Sequence, residues 1–289
     1  MNINSRCILC QISSLGKVLT GMDITEEQRT DIVKYMMNHY ATCDQNLPSP
    51  EAYIAPWERL IAENGDVDPL LEAKRADDEL GLSLLPMIQK EIDASDNKFE
   101  TAMRYAIAAN IMDPMPPPHG MTMEQVLRET AEAPLYVDDT SELMERLKKA
   151  DSVLYMTDNA GEIAVDRLFI ETMYKLGITT PGKMTVAVRG YMANNDATME
   201  NAERVGMTKI AKVISNGDNA MGVLLNRCNK EFKKALYSAD VIISKGMGNF
   251  ECLHDWREKP VFYLFITKCE TVAEVSDSPV GSFMCMLRE

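Results

Sequence analysis

Two patterns in the 289-residue chain predict an α/β fold, a Rossmann-like and mostly parallel sheet flanked by helices, with an N-terminal all-helical lobe. First, five short apolar runs, at 151–156, 184–188, 210–214, 241–244 and 261–266, each end in a polar cluster. Second, helical stretches separate the first four runs, and strands that alternate with helices build a parallel sheet. In such sheets the ligand sits outside the carboxyl ends of the strands. All five polar clusters are therefore expected along one edge.

Residues 1–147 read as helices. Thr25-Glu26-Glu27-Gln28 is a capping box, followed by apolar Ile32, Val33, Met36 and Met37. Ser49-Pro50 opens another helix with proline at its first position. Thr122 with Gln125, and Asp139 with Glu142, mark two further starts. Amphipathic runs fill 70–92 and 99–111. The proline-rich run from Pro114 to Gly120 is expected to be a loop, because proline interrupts a helix. The strand–helix part spans 148–289, with 281–288 as a further edge strand. The two parts are expected to form one compact unit, with the helical lobe beside the strand-end cleft.

Net charge is −14, which argues against a nucleic-acid backbone or an anionic membrane as the main partner. A small phosphorylated molecule remains compatible, because a local cation reverses the field at a site. No 18-residue apolar run and no secretory signal occur, so the cytoplasm is the expected location. Oligomeric state is not legible. The seven cysteines are scattered apart from Cys7-x-x-Cys10, the pattern of reduced thiols. That pair reads as buried thiols or as part of a structural metal site. The 21 methionines read as adaptable core filler.

Asp158-Asn159-Ala160-Gly161-Glu162 carries the sharpest signal. As an ordinary strand–helix turn it needs only Asp158 as a cap. Two adjacent oxygen donors, with Asn195-Asp196 at the next strand end, favour a metal site instead. The donor set Asp158, Asn159 and Asp196 is all oxygen, which suits Mg²⁺ or Mn²⁺ rather than tetrahedral zinc. Glu162 and Asp166 lie one helical turn apart, either as surface charges or facing the site. Lys245-Gly246-Met247-Gly248-Asn249 is neither a Walker loop nor a dinucleotide fingerprint. Its glycines permit close approach of a ligand and its lysine suits a phosphate, or it is a tight turn with a solvated lysine. His39, His119 and His254 show no catalytic spacing, and no GxSxG occurs.

At these residues the chain resembles the metal-dependent damage-control phosphatase family, long called domain of unknown function 89. The matching elements are Asp158-Asn159-Ala160-Gly161-Glu162 with Asp166, Asn195-Asp196-Ala197-Thr198, Ser215-Asn216-Gly217, Lys245 through Glu251, and Lys268-Cys269. In the helical half, Asp68-Pro69 with Lys74, and Ala109-Asn110-Ile111-Met112-Asp113, are also similar. The Cys7/Cys10 pair is typical of the prokaryotic branch. The resemblance covers nearly the whole chain. It implies a divalent metal (Mn, Mg, Co or Ni) on Asp158, Asn159 and Asp196, and phosphatase activity on small phosphorylated metabolites such as sugar phosphates or damaged relatives of them. Ala109 replaces a glycine usual in the family, and Asp77 and Asp78 stand near a usual asparagine.

The expected mechanism has the cation polarise a phosphoryl oxygen and orient a water, while Asp158 or Glu162 takes the proton. Lys245, with Asn249 or Ser215, neutralises developing charge. Asn110, Asp113, Arg189, Ser215, Asn216, Lys245, Gly246 and Asn249 are the expected substrate contacts. Two other readings stay open at this point. One is an S-adenosylmethionine-dependent methyltransferase on a Rossmann-like lobe, disfavoured by the missing glycine-rich first turn. The other is a non-catalytic module that binds metal and a phosphorylated ligand.

Overall fold

A computed structural model describes residues 1–112 and 121–289. The expected loop at Pro114–Gly120 and the expected contact Asp113 lie outside the described residues. The elements run α1 (Ser5–Gly21), α2 (Glu26–Thr42), α3 (Ser49–Glu63), α4 (Leu71–Ala94), α5 (Lys98–Ala108), α6 (Met123–Glu132), β1 (Leu135–Asp138), α7 (Thr140–Lys149) and β2 (Val153–Met156). They continue through α8 (Glu162–Lys175), β3 (Met184–Val188), α9 (Met199–Arg204), β4 (Lys212–Ser215), α10 (Lys230–Ser238), β5 (Val241–Lys245), α11 (Met247–Leu253), β6 (Val261–Ile266), α12 (Glu270–Ser276) and β7 (Phe283–Arg288).

The seven-stranded sheet has the order β1-β7-β6-β5-β2-β3-β4. Every neighbouring pair is parallel except β6 with β7. Strand side chains alternate between the two faces. Val153, Tyr155, Val186, Val188 and Ile243 face the core that α4, α5 and α8 build. Leu154, Met156, Ala187 and Ile242 face the core that α10 and α11 build through Phe232, Leu236, Phe250 and Leu253. With both faces covered, the central strands β2, β5 and β6 are buried at every residue. A third cluster joins α1, α2 and α3 through Leu15, Ile32, Met36, Trp57 and Leu60.

The local signals act as their chemistry dictates. Thr25 Oγ1 accepts from Gln28 N at 3.2 Å while Gln28 Oε1 accepts from Thr25 N at 2.9 Å. Thr122 and Gln125 repeat this box at α6. Asp139 precedes α7 but makes no side-chain cap. Its carboxylate instead accepts from Leu287 N at 2.7 Å and ties α7 to β7.

Three details differ from expectation. Residues 135–138 form a strand inside the stretch expected to be helical. This four-residue strand leaves alternate residues exposed, so it lacks a continuous apolar run. It covers β7, which is therefore interior rather than an edge. Finally, β4 begins at Lys212, because Met207–Lys209 makes a short 3₁₀ turn that Ile210 terminates.

Candidate active site

The chain passes from β2 to β3 and β4 on one side, then to β5 and β6 on the other. The strand order thus reverses at β2, and a crevice opens outside its carboxyl end. Backbone hydrogen bonds fix the loops there. Thr157 N donates to Ala187 O at 3.0 Å, Ala197 N to Asp158 O at 2.7 Å and Ala160 N to Asn195 O at 2.9 Å. Asn159 and Asp196 form an isolated antiparallel bridge. Two loops far apart in sequence are thereby zipped together, and Asp158, Asn159 and Asp196 converge.

Asp158 sits in a net of amides. Asn110 Nδ2 donates to Asp158 Oδ2 and to Glu162 Oε2, both at 2.9 Å. Asn159 Nδ2 donates to the same two oxygens at 2.9 and 3.1 Å. Burial pushes the Asp158 carboxyl well above the usual carboxylate range, and the nearby charges of Glu162 and Asp196 add to this. Asp196 is held from behind, where its Oδ2 accepts from Arg189 Nε at 2.5 Å. Arg189 also donates to Asn249 Oδ1 at 2.9 Å, and Asn249 Nδ2 donates to Thr157 O and Lys245 O.

Lys245 is fully buried and its ammonium points into protein. Nζ donates to Ala106 O at 2.8 Å, Glu162 Oε1 at 2.6 Å and Asp166 Oδ1 at 2.5 Å, which accounts for all three N–H groups. Burial alone lowers the pKa of a lysine, but Asp166 and Glu162 outweigh it and hold this one above its ordinary value. Burial pushes Asp166 up to about 6, against the lowering pull of Lys245 and Tyr155. Tyr155 donates to the same Asp166 oxygen at 2.7 Å. Glu162 and Asp166 are therefore neither surface charges nor pocket groups. They anchor Lys245, and Glu162 carries that anchorage to the Asp158 net.

A cavity of about 500 Å³ opens onto the cluster. Asn110, Asp158, Asn159, Asp196 and Lys268 line it. Lys268 follows β6 and donates from Nζ to Asn110 O at 2.9 Å. Of the described residues expected to contact substrate, Asn110 lines this cavity. Arg189, Ser215, Asn216, Lys245, Gly246 and Asn249 are not among its lining residues. Ser215 Oγ accepts from Gly217 N, and Asn216 Oδ1 accepts from Gly190 N and Asp218 N, so both shape turns. The expected direct phosphate contact of Lys245 is replaced by a structural ion pair, because two buried carboxylates claim its ammonium. Among the described residues, Lys268 of the Lys268-Cys269 motif is the lysine that lines the cavity. The strand-end rule that located the other clusters also reaches it. Cys7 and Cys10 line the cavity too, and Cys10 is exposed rather than buried.

The donor chemistry suits a hard divalent cation. Among the described residues no three His, Cys, Asp or Glu side chains gather as a ready ligand set. Two buried carboxylates, Asp158 and Asp196, share one pocket with Asn159. Burial first, then the charges of Glu162 and Asp196, raise the Asp158 pKa, and a cation would offset all three. The buried Oδ1 of Asn110, beside them, has no hydrogen-bond partner among the described residues.

A switch-point crevice of this kind, with clustered oxygen donors and a lysine, defines a small-molecule site on a doubly wound α/β fold. The model of the damage-control phosphatase ARMT1-like domain matches residues 3–283, and the chain belongs to this family. It is 30% identical over 290 residues to a damage-control phosphatase of Pyrococcus horikoshii, covering 99% of this chain and 98% of that one. It is 31% identical over 292 residues to a damage-control phosphatase of Archaeoglobus fulgidus, covering 98% and 97%. It is 33% identical over 299 residues to an uncharacterized protein of Methanocaldococcus jannaschii, covering 100% and 96%. The crystal structure of a DUF89 family protein from Pyrococcus horikoshii superposes with a TM-score of 0.89 at 29% identity, over 100% of both chains.

Proposed function

We propose that the protein is a divalent-metal-dependent phosphatase that hydrolyses small phosphorylated metabolites in the cytoplasm. The observation that carries this reading is the convergence of Asp158, Asn159 and Asp196 with Lys268 in one strand-end cavity. Membership of a family whose relatives are named phosphatases supports it. Asp158, Asn159 and Asp196 would hold the cation, which supplies Lewis-acid polarisation of a phosphoryl oxygen.

The chain's own groups do the rest. Lys268 offers a charge-assisted donor to the phosphoryl oxygens. We assign the proton of the attacking water to the cavity-lining Asp158. Glu162 does not take it, because Oε1 is engaged by Lys245 and Oε2 by two carboxamides. Glu162, Lys245 and Asp166 position the Asp158 net. Arg189 orients Asp196 through its 2.5 Å contact.

Turnover of a generic aryl phosphate by wild type and by Asp158→Asn tests the reading. The variant is expected to keep its circular dichroism and lose about 10³-fold or more in kcat. Equal turnover by the two proteins contradicts the assignment.

A further inference from the structure

Two loops carry the clustered oxygen donors, and one carboxylate of the helical lobe holds both. It belongs to Asp78 of α4, which is fully buried. Asp78 Oδ1 accepts from Gly161 N at 3.0 Å, and Oδ2 accepts from Asn201 Nδ2 at 2.8 Å. Arg204 Nε lies 3.4 Å from Oδ2 and offsets its charge. Asn201 passes the contact on. Its Oδ1 accepts from Thr198 N at 2.9 Å and from Thr198 Oγ1 at 3.0 Å, at the start of α9 and two residues after Asp196. The Gly161 end is strained. Glu162 N donates to Ala160 O at 2.8 Å and closes a three-residue γ-turn around Gly161. Gly161 has φ of +72° and ψ of −52°, the rare form of that turn. Asp158 and Asn159 stand immediately before it. The backbone of α4 packs on the same turn: a Cβ on Gly161 would lie 2.6 Å from Asp77 O, and one on Gly81 would lie 2.3 Å from Gly161 O.

A strained backbone persists only where its surroundings over-determine it, and a carboxylate is fully buried only where it is paired. Asp78 meets both conditions at once. We infer that Asp78 is a positioning residue for the metal donors: by holding the Gly161 turn and Asn201 together, it sets Asp158 and Asn159 on one loop against Asp196 on the other. Asp78 is not among the residues that line the cavity, so it acts through the two loops rather than on a ligand. The bridge between Asn159 and Asp196 zips the loops at the cavity, and Asp78 clamps them from behind. The helical lobe is thereby part of the metal site, although it supplies no donor. This inference rests on the metal-dependent reading of the site.

Asp78→Asn tests it and comes with its own rescue. An asparagine at 78 offers one acceptor and one amide nitrogen, so it meets either Gly161 N or Asn201 Nδ2 donor to donor. Asn201 cannot turn over to help, because its Oδ1 is committed to Thr198. In the double variant Asp78→Asn with Asn201→Asp, donors and acceptors match again. Calorimetry of Mn²⁺ binding to the metal-free proteins should show Asp78→Asn about 10–100-fold weaker than wild type, with one site per molecule retained. The double variant should return to within about threefold of wild type, because the pair is again complementary. A merely structural loss would unfold a fraction of the molecules, lowering the number of sites and leaving the affinity of the rest unchanged. That outcome, or a double variant that binds no better than Asp78→Asn, overturns the inference. Asp78→Ser, smaller and with one acceptor, takes the place of Asp78→Asn if that protein does not fold, with the same loss expected and unchanged affinity again overturning the inference. If wild type itself binds none of Mn²⁺, Mg²⁺, Co²⁺ and Ni²⁺, the metal reading fails and the inference falls with it. If wild type binds and the variants bind alike, the inference alone falls.

Discussion

Asp158 rests against Gly246: a Cβ built on Gly246 would lie 1.9 Å from Asp158 Oδ2 and 2.1 Å from its Cγ. Gly246 also has φ of +75°, a conformation that L side chains rarely adopt. The turn from β5 into α11 thus admits glycine for two independent reasons, and the second strand end sets the position of the carboxylate on the first. Gly246→Ala is expected to cost about 1–2 kcal/mol of stability from the backbone. It should also lower kcat/KM by about 10²-fold or more through displacement of Asp158. Urea denaturation and steady-state kinetics check the two effects. Unchanged kinetics would show that Asp158 does not need its present position.

The two lysines near the site are expected to separate cleanly. Lys245→Met leaves Glu162 and Asp166 buried without their cation, so it should destabilise the fold by about 3–5 kcal/mol. Lys268→Met touches an exposed side chain and should leave Tm within a few degrees while kcat/KM falls by about 10²-fold. Thermal denaturation and kinetics on both variants check this. The reverse pattern, a stable Lys245 variant beside an unfolded Lys268 variant, would exchange their roles.

Stability should depend on pH through Glu251. Burial pushes its carboxyl up to about 7, against the lowering effects of Ser49 and the N-terminal amino group. A carboxyl whose folded pKa is raised binds its proton more tightly in the folded state. Its contribution is fully present below the unfolded value of 4.5 and is lost as pH rises through about 7. Wild type should therefore lose stability between pH 5 and pH 8 relative to Glu251→Gln, by about 2–3 kcal/mol. Urea midpoints across that window measure the difference. Parallel curves for the two proteins would mean that Glu251 titrates normally.

The strand-end clusters were legible in the sequence because each strand is a compact apolar run and parallel topology sends every carboxyl end to one edge. Asp158, Asn159 and Asp196 met for that reason. β1 was not legible, since a short, half-exposed strand covering a neighbour needs no apolar run of its own. The inward turn of Lys245 was also hidden. Sequence places a lysine at the end of β5, but only packing shows that Glu162 and Asp166, one helical turn apart on α8, both reach it.

Metal dependence is the central claim, and chelation tests it most directly. Protein dialysed exhaustively against EDTA should show no turnover of an aryl phosphate, and Mn²⁺, Co²⁺, Ni²⁺ or Mg²⁺ should restore it. Calorimetry should show one divalent ion bound by wild type and at least about 100-fold weaker binding by Asp158→Asn, because one of the two proposed carboxylate donors is lost. Undiminished turnover by the metal-free protein, or equal metal affinity in the two proteins, would contradict the account.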